Sequence, residues 1–436
     1  MLVVLLARFV RARWGYRFRN RAHFEAWQRR RLRAFLRRAR RAPFYAGLRP
    51  RDYPVTDKTT LLEHFDTLNT REVLFADALA AGLAAERTRD FAPTVAGDLT
   101  VGLSSGTSGR RGVFLVSPRE RMLWAGTVLA RVLDSRSVGQ LLRPWKPPLT
   151  IAFFLRSGGN LYESVASSRV RFRFFDLTRP LDEHVEALAR SADAAGGVDV
   201  LVAPASVLAA LARRADELPR PRLVVSVAEV LDPDAEGLIE RAWGVRPRQV
   251  YQATEGLLAL PCESGGLHLN EESVRIDREW LDAERTRFVP LVTDFDRRTQ
   301  IIARHRLDDV LRIDPHAPER CSCGRVTTRL AGIDGRADAV LRLPSADGTT
   351  TIEVFPDAVR RAMAVESEGF SDWRIRQRGV TVHVELADPA PDARACVERA
   401  LTSLLETWGC RASLVHDDWT PPDPEAKRRR IVRESP

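Results

Sequence analysis

Ser104-Ser105-Gly106-Thr107-Ser108-Gly109-Arg110-Arg111-Gly112 follows directly on the strand-like run Leu99 to Leu103. Its glycines let the backbone approach a polyphosphate. The hydroxyls of Ser105, Thr107 and Ser108 and the backbone N–H groups donate to phosphate oxygens, and two arginines balance the charge. The spacing Gly-x4-Gly-Lys-Ser/Thr of a Walker loop is absent, as is a dinucleotide-binding fingerprint. By spacing alone, a plain glycine-rich turn explains the stretch equally well.

Downstream, short β-rich runs alternate with helical patterns over roughly 98–330. Leu149 to Leu155, Asp199 to Ala203, Leu223 to Val227 and Gln249 to Tyr251 read as strands. Residues 181–194, 205–215 and 232–243 read as helices between them. Such alternation predicts α/β layers around a mainly parallel sheet. Tyr251-Gln252-Ala253-Thr254-Glu255-Gly256 ends the last of these strands, the place where open α/β sheets bind ligands. Its aromatic face, hydroxyl and carboxylate suit a base, a phosphate and Mg²⁺. A helix capped at Thr254 is the bland alternative.

From about 335 the pattern changes. Asp372 to Gln377 and Val380 to Leu386 read as a hairpin around Arg378-Gly379, 391–408 as a helix, and Arg411 to His416 as a further strand. The expected fold is therefore α/β, with a large layered domain over 51–334. A small α+β domain over 335–436 follows on a hinge near Gly332 to Asp338, and a basic helical segment over 1–50 precedes both.

The chain has 436 residues, 44% hydrophobic and 29% charged, which fits a globular protein of two or three domains and excludes a disordered chain. No apolar run approaches the roughly 20 residues of a membrane span. Met1 to Ala7 lacks the flanks of a signal peptide, and five cysteines, an odd number, point to a reducing, cytoplasmic compartment. The net charge of +10 is local: residues 1–50 hold 15 Arg against Glu25, or +14, so the remainder sums to 10 − 14 = −4. Phe24, Trp27, Leu32, Phe35 and Leu36 form a stripe at helical spacing within this segment. A solvated helix packed through that stripe is the expected reading. Peripheral contact of residues 1–45 with an anionic membrane is the functional alternative. No nucleic-acid-binding signature accompanies the charge, so a polynucleotide partner is not expected.

Cys262-x5-His268 and Cys321-Ser-Cys323-Gly324 pair soft ligands beside turn residues, a pattern that suits a structural, tetrahedral Zn²⁺. Free thiols, with His268 bonded to backbone, are the alternative. Phe153, Phe154, Arg156, Asn160 and Tyr162 follow a predicted central strand and are candidates for a substrate pocket.

Six stretches fall in an order that resembles the adenylate-forming superfamily, in particular the branch of phenylacetate–CoA ligase and coenzyme F390 synthetase. Ser105 to Gly109 resembles its phosphate loop and Tyr251 to Glu255 its aromatic-x-x-Thr-Glu signature. Tyr53-Pro-Val-Thr-Asp-Lys58, Arg304-His-Arg-Leu-Asp-Asp309, Gly335-Arg336-Ala337-Asp338 and Lys427-Arg-Arg-Arg430 match the remaining elements. The resemblance implies an enzyme that activates a carboxylate, aryl or another small organic acid, with ATP and Mg²⁺, and in thioester-forming relatives passes it to CoA. Ser105, Gly106, Thr107, Ser108 and Gly109 would hold the outer phosphates, and Tyr251 would lie against adenine. Thr254 would touch the α-phosphate, Glu255 would hold Mg²⁺, and Asp309 with Arg336 would meet the ribose. Asp338 would be the hinge and Lys427 the catalytic cation. Some members of the branch carry a metal near the positions of Cys262, His268, Cys321 and Cys323.

Arg110-Arg111 replaces the usual Lys-Pro or Pro-Lys, and Ala339 stands where the branch has a second Asp. The resemblance therefore implies the first half-reaction more directly than transfer to CoA. Two rival readings are an F390 synthetase-like enzyme that places AMP on a hydroxyl, and a non-catalytic polyanion-binding protein.

Overall fold

The computed structural model describes residues 1–104, 112–155, 168–177, 179–193, 197–336, 339–364, 369–421 and 429–434. The α/β architecture expected from the sequence is present. Its parallel part is a five-stranded sheet in the order Val170–Asp176, Leu149–Leu155, Val200–Pro204, Leu223–Val227, Arg248–Gln249. The three inner strands read as near-continuous apolar runs because both faces are covered. One face buries Ile151, Val202 and Val225 with Phe9, Ala12 and Ala130. The other buries Ala152, Leu201 and Val224 against the helices Leu181–Asp193, Ala205–Ala212 and Pro233–Trp243. Phe154 belongs to this second face, stacked on Phe175 with ring centroids 4.5 Å apart, so it is core and not pocket.

The expectation of a mainly parallel sheet fails after Gln249. Eight strands between Tyr251 and Arg336 form an entirely antiparallel sheet. The reason is connection length. Val274–Trp280 and Arg287–Asp294 pair along seven residues and are joined by 281–286, too short for the dozen or more residues of a parallel crossover.

The basic segment is helical over Leu2–Val10 and Arg21–Ala39, the second helix capped by the Asn20 side chain on the His23 N–H. Phe24 and Phe35 are fully buried, and Phe35, Ala39 and Tyr45 share the main core with Phe288 and Phe295. The first helix lies across Pro118–Val132 at Gly126, where a Cβ would come within 2.6 Å of the Leu5 carbonyl oxygen. Glycine there permits backbone-to-backbone contact. Arg8 runs into the body and donates to Thr127 Oγ1 (2.7 Å), Asp296 Oδ2 (2.7 Å) and the Ser273 hydroxyl. Arg21 grips Glu271 through both terminal nitrogens. Arg8 and Arg21 are thus structural cations, each facing a carboxylate.

The C-terminal part has its own core, including Val359, Met363, Ile375, Val384, Val397 and Leu401. Its four-stranded sheet runs Ser413–Asp417, Thr381–Ala387, Asp372–Arg378, Ile431–Arg433. The helices Pro356–Ala364 and Ala393–Thr407 cover it. The strand Arg329–Arg336 still pairs with the large antiparallel sheet through Arg336. Residues 337–338, which follow, lie outside the described residues.

Candidate active site

Thr100–Leu103 and Val113–Val116 form an antiparallel hairpin with Leu103 opposite Val113. Its neck is closed twice: the Ser104 N–H donates to the Gly112 carbonyl (2.8 Å), and the Gly112 N–H donates to Ser104 Oγ (2.7 Å). A Cβ at Gly112 would meet the Phe114 ring at 2.8 Å. Ser105, Gly106, Thr107, Ser108 and Gly109 connect these strands and lie outside the described residues, as do Asp338 and Lys427.

Tyr251–Ala253 pairs antiparallel with Gly256–Pro261, so Thr254 and Glu255 occupy the tight turn between two strands. The alternative of a capped helix start is thereby excluded. The Thr254 hydroxyl donates to Glu255 Oε2 at 3.0 Å. Tyr251 is buried and its hydroxyl donates to Asp309 Oδ2 at 2.5 Å. Burial, and then the carboxylate of Asp309, hold the phenol well above its ordinary value, so it remains a donor at neutral pH. Asp309 begins the strand Asp309–Ile313, directly opposite Arg336 on the neighbouring strand. Arg336 in turn donates to Asp308 at 2.9 Å.

The segment Tyr53 to Lys58 is drawn in by backbone pairing. Thr56 bridges His305, with the Arg306 N–H donating to the Thr56 carbonyl at 2.7 Å. Asp57 caps the helix Lys58–Glu63 by accepting from the Thr60 N–H at 2.8 Å. This places Lys58 in the field of Arg336, Glu255 and Asp308. Its ammonium is lowered by burial and by Arg336, against the opposing pull of the two acids. His305 is buried with Nε2 3.8 Å from Glu255 Oε1, and burial lowers its pKa below the ordinary 6.5.

Sequence reasoning passed over Arg297. It is 1% exposed and donates to the Thr254 carbonyl (2.5 Å) and to the Leu115 carbonyl (2.8 Å), with its guanidinium 4.9 Å from the Trp124 ring centroid. It thus ties the strand Val113–Val116 to the turn at Thr254 and Glu255. Nothing in its sequence context distinguishes it among 68 − 3 = 65 arginines.

A cavity of about 630 Å³ opens between the two parts of the chain. Glu229, Asp309 and Arg336 line it from the large side, and Trp373, Arg429 and Arg430 from the small side. Ala228, just past the strand Leu223–Val227, has a φ of +64°, a costly conformation of the kind that gathers at ligand sites. Glu229 accepts from the Ser206 N–H at 2.8 Å. Arg430 crosses the gap, 3.1 Å from Asp232 Oδ2 and 3.4 Å from Asp372 Oδ1, with its guanidinium 5.2 Å from the Trp373 ring centroid. Of the pocket candidates, Arg156, Asn160 and Tyr162 lie outside the described residues.

No protein-family model matches the chain, and no curated protein matches it in sequence. Solved structures do match. 2-Hydroxyisobutyryl-CoA ligase, in the postadenylation state in complex with 2-HIB-AMP, superposes with a TM-score of 0.67 at 17% identity, covering 97% of this chain and 91% of that one. An open conformation of the same ligase with 2-HIB-AMP and CoA gives 0.56 at 17% identity, over 96% and 93%. The anthranilate CoA ligase AuaEII in complex with anthranoyl-AMP gives 0.51 at 13% identity, over 76% and 66%. The chain has the fold of an acyl-CoA ligase. This is the fold that the motif resemblance implied.

Within this ligase fold a second cluster assembles at the other end of the strand Gly256–Pro261. The ligand atoms of Cys262, His268, Cys321 and Cys323 all lie within 4.8 Å of one another. Cys262 Sγ is 4.0 Å from Cys321 Sγ, and Cys323 Sγ is 3.8 Å from His268 Nε2. His268 Nδ1 meets the Thr327 carbonyl at 3.1 Å, the partner that fixes a metal-binding imidazole's tautomer. Hydrogen bonding with Cys323 and His268 pulls the Cys262 thiol down, while the same bond pushes the Cys323 thiol up, so the thiols share one charge across the cluster. Three sulfurs and one nitrogen converging in a mostly buried site fit the donor set of structural zinc. One ring nitrogen of His268 thus faces the Thr327 carbonyl and the other faces the Cys323 thiol.

Proposed function

We propose that the chain is an ATP-dependent, adenylate-forming ligase. A carboxylate oxygen attacks the α-phosphorus of ATP, the bond to the bridging oxygen of pyrophosphate breaks, and acyl-AMP and pyrophosphate form. The observation that carries this reading is the meeting of Tyr251, Asp309, Thr254, Glu255, Arg336 and Lys58 beside the inter-domain cavity. It supplies an aromatic face, an acceptor for ribose hydroxyls, a hydroxyl, a metal-binding carboxylate and two cations in one place.

Each residue then has a task. Ser105, Gly106, Thr107, Ser108 and Gly109 hold the outer phosphates. Tyr251 flanks adenine and orients Asp309 toward the ribose, beside Arg336. Thr254 donates to the α-phosphate, and Glu255 holds Mg²⁺, which offsets the charge gathering on the phosphates. Lys427 brings an ammonium between the α-phosphate and the entering carboxylate; its neighbours Arg429 and Arg430 already line the cavity. Preorganised cations lower this barrier because negative charge from a triphosphate and an acid converges on one point. Asp338 serves as the pivot of residues 335–436. The substrate is an aryl or other small organic acid, and transfer to the CoA thiol completes the thioester. Cys262, His268, Cys321 and Cys323 hold one zinc ion, which staples the segment after Glu255 to the segment ahead of the hinge.

Exchange of labelled pyrophosphate into ATP across a panel of aryl acids tests the reading. Lys427→Ala and Glu255→Ala are expected to abolish exchange in folded protein. Exchange unchanged in both would refute the assignments. Mass spectrometry of the product distinguishes released AMP from AMP retained on a hydroxyl acceptor, the outcome of an F390 synthetase-like reaction.

A further inference from the structure

The first helix leaves an apolar face without cover. Leu5, Phe9 and Ala12 are buried against the body, and Arg8 is anchored beneath. On the outer side Leu2 is 60% exposed, Val3 77%, Leu6 51%, Val10 54% and Trp14 43%. Positions 3, 6, 10 and 14 follow one another at helical spacing, so they form one ridge. The inward face is already occupied, so the ridge cannot rotate into the core.

Residues 1–19 contain five arginines and no acid. Two of the five are consumed internally, Arg8 by Asp296 and Arg13 by Glu263. Arg11, Arg17 and Arg19 are exposed. Arg11 sits on the Tyr16 ring at 5.2 Å, and Arg17 donates to the Trp14 carbonyl, which holds both beside the ridge. Among the described residues no acidic side chain pairs with these three. The face is therefore an apolar crest, ended by a tryptophan and rimmed by cations.

We propose that this face docks on an anionic lipid bilayer. A helix of nine residues is about 14 Å long and cannot span the roughly 30 Å hydrocarbon core. Among the described residues no helix is long and apolar enough to cross a membrane. An amphipathic helix of this kind lies in the interface, with its apolar side among the acyl chains and its arginines at the headgroups. A second copy of the chain is a poorer occupant, because a two-fold contact would set the same arginines against each other.

Vesicle flotation of the full chain, without an N-terminal tag, tests this. The chain is expected to bind vesicles of phosphatidylcholine with phosphatidylglycerol at least about tenfold more tightly than phosphatidylcholine alone, since each arginine near an anionic surface strengthens binding about fivefold. Added salt should reduce the preference. The double variant V3E/L6E should lose binding while its thermal melting stays that of the wild type. R11Q/R17Q, which leaves the ridge intact, should lower the anionic preference by about tenfold or more. Equal binding to both vesicle types, binding to neither, or a ridge-dependent dimer in sedimentation velocity without vesicle binding would overturn the proposal.

Discussion

Arg297→Met removes one side chain and is predicted to loosen two segments at once. Methionine has similar length and no donor. The variant loses charge-assisted hydrogen bonds to the Thr254 and Leu115 carbonyls, about 1.5–3 kcal/mol each, and a cation–π contact with Trp124 worth about 1 kcal/mol. Against this, burying a neutral thioether avoids the cost of desolvating a guanidinium, several kcal/mol in other proteins. The buried Asp294 then loses a neighbouring cation, which adds to the damage. The net expectation is a loss of about 3–5 kcal/mol in a urea titration. Pyrophosphate exchange should fall by about a hundredfold if the freed Thr254 backbone shifts by about 1 Å. Arg297→Lys keeps the charge but loses the planar fork, so it should fall between the two. If Arg297→Met lies within about 1 kcal/mol of wild type and exchanges at full rate, the tie between the two segments carries no weight.

Two further outcomes follow from buried charge. Asp294 is raised from 3.8 to about 7 by burial and by Asp296, so between those values the folded chain holds a proton that the unfolded chain has released. The stability tied to that proton is present in full below pH 3.8 and is lost as pH rises through about 7. Asp294→Asn should therefore gain about 1–3 kcal/mol at pH 8 and little at pH 4, read from paired denaturation curves; equal effects at both would contradict the proton's placement. For the thiol–imidazole cluster, one zinc per chain is expected by elemental analysis. Cys321→Ser should lower both that content and the melting temperature, whereas full metal content in the variant would place the ion elsewhere.

The parallel layer was legible because its cause is local. Leu149–Leu155 and Leu223–Val227 are unbroken apolar runs, and their predicted limits coincide with the observed ones. Val170–Asp176 was missed because Arg171 and Arg173 interrupt it, as an edge strand allows. The closure of the antiparallel sheet was not legible because it joins distant segments, Leu267 and His268 with Leu330 and Arg329, although several of its other pairs are short hairpins. At the site, Tyr251 and Asp309 carried a motif signal, and the structure adds the hydrogen bond between them. Lys58 had a weaker signal, being one of three lysines in the chain. Arg297 had none, because its importance lies in two carbonyls contributed by other segments.

Arg8 and its counter-ion Asp296 are 288 residues apart. During synthesis at about 5–20 residues per second, the opening helix waits roughly 15–60 seconds before its partner leaves the ribosome. For that interval the helix can lean on Pro118–Val132, made earlier, but Arg8 has no counter-ion beneath it. A helix made early is thus locked in place only after a much later segment has emerged.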